Sequence, residues 1–243
     1  MSRPGSSPGR GRTEIVQKLF YLLFDEAARS GTEMRESIFS QAVPAIHASG
    51  ARDVFVFVND EEVSEGGTPI RRSEPPIRAF VSFWLEDAAD REAAEAALSV
   101  QAQRIAGYLV VESRPMVHRC EQGKRTEGMK QITCIARRPD ISQEEFVEIW
   151  HGDHRRVAVE TQSTFGYVRN EIFRSLTPDA PDCWTAFVEE SFPSDALSDP
   201  RVFYDAKTEE ELQRNMQLMM KSCERFLDLE PMEVTYVSEY FMG

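Results

Sequence analysis

The residues best suited to chemistry stand together between Phe146 and His154 (FVEIWHGDH). Ser142 with Glu145 three residues on has the form of a capping box, and Ile141 and Phe146 occupy the two positions of a hydrophobic staple. Counted from that cap, Phe146, Trp150 and His154 fall at i, i+4 and i+8 on one helix face. A histidine closing a row of two large aromatics points to the apolar side of its helix. There a neutral imidazole can give or take a proton near neutral pH. The blander alternative is a helix-end histidine bonded to a nearby carbonyl and favoured by the C-terminal dipole. Spacing alone does not separate the two.

Other candidates are weaker. His151, Asp153 and His154 suggest a metal cluster, but His-x-x-His sets the rings roughly 60° apart on a helix. No third ligand follows at a recognisable spacing, so no metal is expected. Tyr167, Arg169 and Glu171 alternate on one face of a strand-like stretch, with Val168, Asn170 and Ile172 on the other. With Val168 and Ile172 turned to the helices, Tyr167 and Arg169 look into the space between sheets. A phenol and a guanidinium there could orient a phenolate or carboxylate; the competing reading of Arg169 is a cross-strand salt bridge. Tyr236 and Tyr240 share a face of the last strand and are further candidates to line a cavity. The methionines of the last long helix read as core filler. GxGxxG, Walker, GxSxG and HExxH motifs are absent from the sequence, which lowers the classes they mark.

These residues need elements to hold them. Residues 1–12 (MSRPGSSPGRGR) have nothing to bury and read as a disordered tail. A strand at 16–24 is followed by a helix capped at Thr32 and running to about Ala48, with Pro44 predicting a kink or an early end. Strands follow at 53–59 and 77–85, separated by a long Gly- and Pro-rich loop at 60–76 that is open to motion. An alanine-rich helix from Asp87 or Asp90 to Gln103 and a strand at 108–113 complete one β-α-β-β-α-β unit. Residues 119–128 suit a linker. The order then repeats: a strand at 130–137, the helix at 142–160, strands at 166–173 and 182–190, and a helix capped at Thr208. Pro231 breaks that helix before a closing strand at 233–241. The fold class is therefore α+β, in two tandem ferredoxin-like halves at 13–118 and 129–243. Each half carries helices on one sheet face only, and two such sheets facing one another in one chain would bury both in a pseudo-symmetric barrel.

Composition bounds the partners. The 243 residues are 41% hydrophobic and 28% charged, ordinary for a folded chain. Net charge is −13, from 28 basic against 41 acidic residues, and no basic stripe with interleaved aromatics occurs, so nucleic acid and anionic membrane are excluded as expected partners. Four cysteines at 120, 134, 183 and 223 form no CxxC or close pair. They suit a reducing cytoplasm rather than a disulfide framework. The longest apolar run, at 15–24, is too short to span a bilayer.

The second half also resembles a known family. Arg138-Pro139 precedes Ser142-x-x-Glu145-Phe146, then come Trp150-x-x-x-His154, Tyr167-x-Arg169-Asn170, Asp182-x-Trp184, the stretch Glu189 to Pro193 (EESFP) and Asp199-Pro200. In order and spacing these are similar to the EthD-domain family of the dimeric α/β-barrel superfamily. Residues 13–118 match in element order alone, as a degenerate first copy, and Arg155-Arg156-Val157 depart from the family's pattern after the histidine. The resemblance implies an intrachain barrel of the dimeric type with a cavity between facing sheets for a small hydrophobic or aromatic molecule. It implies an enzyme of oxidoreductase or lyase type working without a cofactor, with His154 as acid/base and Trp150, Tyr167, Arg169, Tyr236 and Tyr240 against the substrate. A non-catalytic binding or accessory protein is the alternative. The chain would be a monomeric pseudo-dimer or a homodimer.

Overall fold

A computed structural model of the chain describes residues 16–26 and 29–243, and the tail expected at residues 1–12 lies outside them. Eight strands are present: β1 Gln17–Phe24, β2 Arg52–Val58, β3 Ile77–Leu85, β4 Arg104–Met116, β5 Met129–Arg137, β6 Gly166–Ser175, β7 Ala186–Phe192 and β8 Leu227–Phe241. Four longer helical segments flank them: α1 (residues 31–48), α2 Glu92–Ser99, α3 (residues 143–161) and α4 Glu209–Glu224. The strands close in the order β1-β3-β2-β8-β5-β7-β6-β4, every pairing antiparallel. The fold is α+β, and its sheet is one closed barrel rather than two separate sheets. Neighbours run β4-β1-β3-β2 up to Met116 and β8-β5-β7-β6 beyond Met129, the same order twice.

Closure gives every strand two buried faces. Inside the barrel, Phe20, Phe57, Phe80, Tyr108, Ile132 and Phe187 form an apolar core, with Phe20 and Phe187 stacked at 5.0 Å. Charged residues share this interior. Lys18 Nζ donates to Glu112 at 2.5 Å and to Asn170 at 2.8 Å, Lys130 lies 3.3 Å from Glu189, and Lys130 also pairs with Glu239. Buried charges persist only when they are paired in this way. On the outside, α1 and α2 cover Leu19, Tyr21, Leu23, Val81 and Phe83, whereas α3 packs on Ile135, Tyr167 and Val188. No helix among the described residues is long and apolar enough to cross a membrane.

Several local expectations are corrected. Ser30, not Thr32, caps α1, making both bonds of a capping box with Glu33. The helix continues past Pro44 because a π turn at Ile38–Ala42 has already offset its hydrogen-bond ladder, Val43 N–H bonding Ile38 O. Pro231 lies inside β8, where the register shifts between Cys134 and Ala136 and a proline costs no ladder bond. The loop at 60–76 is pinned to its surroundings. Val63 is buried, Gly67 N–H bonds Leu197 O at 2.7 Å, and Ile70 bridges Val234. The expected linker runs beside β8 through bridges from Gln122 to Phe241 and from Arg125 to Tyr240.

Candidate functional site

The serine cap sets the phase of α3: Ser142 Oγ accepts from Glu145 N–H at 3.1 Å. From Trp150 to His154 the helix widens into a π turn, and Phe146, Trp150 and His154 are all buried on its inner side. Phe146 is core, tilted against Trp150 at 5.4 Å and Phe226 at 5.5 Å. Trp150 and His154 instead border a cavity of about 550 Å³ between the helices and the outward face of β5, β7 and β8. Gln131, Tyr167, Glu190 and Tyr236 supply its sheet side, Met219 and Cys223 of α4 the opposite wall, and Gly67 and Ile70 reach it from the loop of the first half.

The structure therefore brings together four of the expected residues, Trp150, His154, Tyr167 and Tyr236, but not between facing sheets. Ile172 packs with the barrel interior and Asn170 bonds Lys18 there, so the opposite face of β6, with Tyr167 and Arg169, meets the helices. The expected orientation of β6 was inverted. Arg169 does not line the cavity: its Nε donates to Ser113 Oγ at 2.9 Å and its guanidinium lies 5.8 Å from the Trp150 ring centroid. Tyr240 is also elsewhere. It shares its face with Tyr236, but β8 is long enough to reach both helix layers, and Tyr240 donates to Asp60 at 2.7 Å within the core under α1. His151 lies 3.3 Å from Glu171, and Asp153 pairs with Arg225 and Arg156, so these residues converge on no common point.

Burial sets the protonation states. Ser222 Oγ lies 3.0 Å from His154 Nδ1, and the imidazole packs 4.7 Å from Phe226. Desolvation, helped by the Arg225 charge, lowers His154 to about 4, so it is neutral at pH 7. Glu190 is buried opposite Tyr167 in the β6–β7 register and accepts from Gln131 Nε2 at 3.2 Å. Desolvation raises it to about 7, the range in which one carboxyl can both take and return a proton. Tyr167 Oη accepts from Trp150 Nε1 at 2.9 Å; burial, with Glu190 nearby, pushes the phenol up, so its own proton remains available to donate. Burial pushes the Cys223 thiol up to about 12, which leaves it a poor nucleophile. Gln162 Oε1 is buried without a hydrogen-bond partner and belongs to a residue of the cavity wall.

Glu190 and Gln162 were missed from the sequence. Glu190 stood in the quoted EESFP stretch, and a second acid beside Glu189 in a strand with apolar residues on both faces was the available signal.

No family model matches the chain, and no curated protein sequence matches it. Solved structures match its fold. An anthrone oxidase-like protein superposes with a TM-score of 0.52 at 8% identity, covering 94% of each chain. A provisionally assigned chlorite dismutase gives 0.50 at 9% identity, over 92% of this chain and 95% of the other. At such identities the likeness concerns the fold alone. What is shared is a closed antiparallel barrel with helices outside it.

Proposed function

We propose that the chain is an oxidoreductase- or lyase-type enzyme that acts, without a cofactor, on a small hydrophobic or aromatic molecule held in the α3–α4 cavity. Residues 129–243 are read as an EthD-like ferredoxin-like half and residues 13–118 as its degenerate copy, joined through 119–128. The repeated strand order and the matching serine caps and π turns of α1 and α3 support that reading.

One observation carries the chemistry: a neutral imidazole and a carboxyl poised near pH 7 border the same aromatic-walled space. A group lowered to about 4 is a weak proton carrier at neutral pH, so the proton falls to Glu190. Ionised Glu190 removes a proton from a C–H or O–H conjugated to a carbonyl or phenol. The negative charge that develops on the substrate oxygen is met by the Tyr167 hydroxyl. It is also met by the His154 N–H in the tautomer where Ser222 donates to Nδ1. Elimination of a leaving group begins from such an anion, and so does oxidation with dioxygen as the co-substrate that takes the electrons.

The test pairs thermal-shift binding of phenolic, quinonoid and short acyl compounds with turnover of those that bind. Glu190→Gln and His154→Ala should each cut turnover at least about 100-fold. The melting temperature should move only a few degrees. Unchanged turnover in both variants sinks the assignment. The adaptable methionine side of the cavity favours one competing reading, a ligand carrier. It would show as a small molecule retained in native mass spectra with no turnover.

A further inference from the structure

Away from that cavity, where the connecting segment meets β8, three different donors converge. We propose that His118, Cys120 and Glu239 bind a divalent transition-metal ion of the zinc type, clasping the segment between the halves to β8. Glu239 Oε2 lies 2.6 Å from His118 Nε2 and 3.6 Å from Cys120 Sγ, and the three donor atoms all lie within 4.8 Å of one another. Nitrogen, sulfur and oxygen donors bound at about 2.0–2.3 Å stand roughly 3.3–3.8 Å apart around a tetrahedral ion. The sulfur is already at that distance from the carboxylate, and the imidazole has to withdraw by roughly 0.7 Å.

The surroundings hold these groups as ligands are held. The His118 ring stands edge-on to Phe165 at 5.5 Å. It also occupies the space over Gly166, where a Cβ would come within 2.3 Å of Nδ1, so packing directs Nε2 toward Glu239. The other Glu239 oxygen pairs with Lys130, an outer partner that fixes the carboxylate's orientation. Thr126 donates to Cys120 Sγ at 3.6 Å, a contact that suits a thiolate. A divalent ion with one thiolate and one carboxylate is a neutral unit, so it adds no net charge beside the mutually paired Lys18, Lys130, Glu112 and Glu189.

His118, Cys120 and Glu239 together border one small cavity of about 50 Å³, room for an ion. His118 and Thr126 also border a recess of about 600 Å³, which provides an entry path and room for a fourth, exchangeable ligand. The site differs from a hydrogen-bonded His118–Glu239 pair in one respect: it requires the sulfur.

Cobalt(II) is the probe, added to the intact chain under reducing conditions, with zinc(II) as competitor. One cobalt per chain should bind with intense visible bands of tetrahedral geometry and a near-ultraviolet thiolate charge-transfer band, and zinc should displace it. Cys120→Ser should abolish the charge-transfer band, whereas Cys183→Ser, at an exposed cysteine, should keep it. His118→Gln should weaken binding at least tenfold and guards against a folding defect in the first variant. No cobalt bound to the intact chain, or a charge-transfer band that survives in Cys120→Ser, overturns the proposal and leaves the ion pair alone.

Discussion

α1 and α3 each start at a capping serine, Ser30 and Ser142, and each widens into a π turn the same number of residues later, at Ile38 and at Trp150. The last residue of the turn is Ala42 in α1 and His154 in α3. Under α1 the sheet offers Leu19, Tyr21, Leu23, Val81 and Phe83, with Tyr21 and Phe83 stacked at 5.7 Å, and the layer is filled. Under α3 it offers Gln131, Thr133, Val188 and Glu190, and about 550 Å³ stays open. The same helix geometry thus serves packing in one half and a candidate site in the other. The π turn does not make the site. The smaller, more polar sheet face beneath it does.

The comparison breaks first if the two layers tolerate truncation alike. Phe83→Ala, in the filled layer, should cost about 3–5 kcal/mol, and Met219→Ala, whose side chain already borders open space, about 1 kcal/mol. Urea unfolding of both variants decides this, and equal losses would erase the contrast.

Next comes pH. Glu190 is raised to about 7 from an ordinary value of 4.5. Its contribution is full below pH 4.5 and is lost as pH rises through 7, because the folded state keeps the proton that the unfolded chain releases. Glu190 should therefore contribute a decline of about 3 kcal/mol across that window, visible in His154→Ala and removed by Glu190→Gln. His154 acts in the opposite direction: lowered to about 4, it favours the fold above pH 6.5 and loses that contribution as pH falls toward 4. Unfolding curves at several pH values in both single variants separate the two.

Exchanging the turn residues sharpens the comparison further. Ala42→His forces an imidazole into a closed core and should cost about 1–3 kcal/mol, whereas His154→Ala should cost under about 1 kcal/mol. A tolerated Ala42→His, read by thermal unfolding, would mean that the first layer also has room. The smallest effect belongs to the caps. Ser30→Ala should cost about 1 kcal/mol and Ser142→Ala somewhat less, since Ser30 takes part in a complete box. Amide exchange in the first turns of α1 and α3 measures it.

Much of this was legible in the chain. Apolar periodicity and the Ser142 cap located the α3 row, and strand alternation grouped Tyr236 with Tyr240 correctly. What alternation could not supply was which face of a strand meets which core, because a closed barrel buries both. Apolar Val168 and Ile172 suit a helix-facing side and a filled barrel interior equally, and the interior is filled. The same ambiguity hid Glu190, since Phe187 and Val188 advertise an apolar environment on either side of β7. Ser30-x-x-Glu33 has the spacing of Ser142-x-x-Glu145, a match in the chain that aligns α1 with α3 directly.

The ladder between β2 and β8 covers only Phe55–Val58 and Ser238–Phe241, and it joins chain segments some 180 residues apart. Its side chains act as rivets: Asp60 accepts from Ser238 and Tyr240 at 2.7 Å each, and Asn59 donates to Tyr236 O at 2.8 Å. Contacts that distant carry the largest loop-closure entropy and form after local pairings. The β2–β8 seam is therefore the clasp that closes the barrel across the longest sequence separation. Because β8 also walls the cavity through Val234 and Tyr236, a barrel caught with this clasp undone would have no finished pocket to offer.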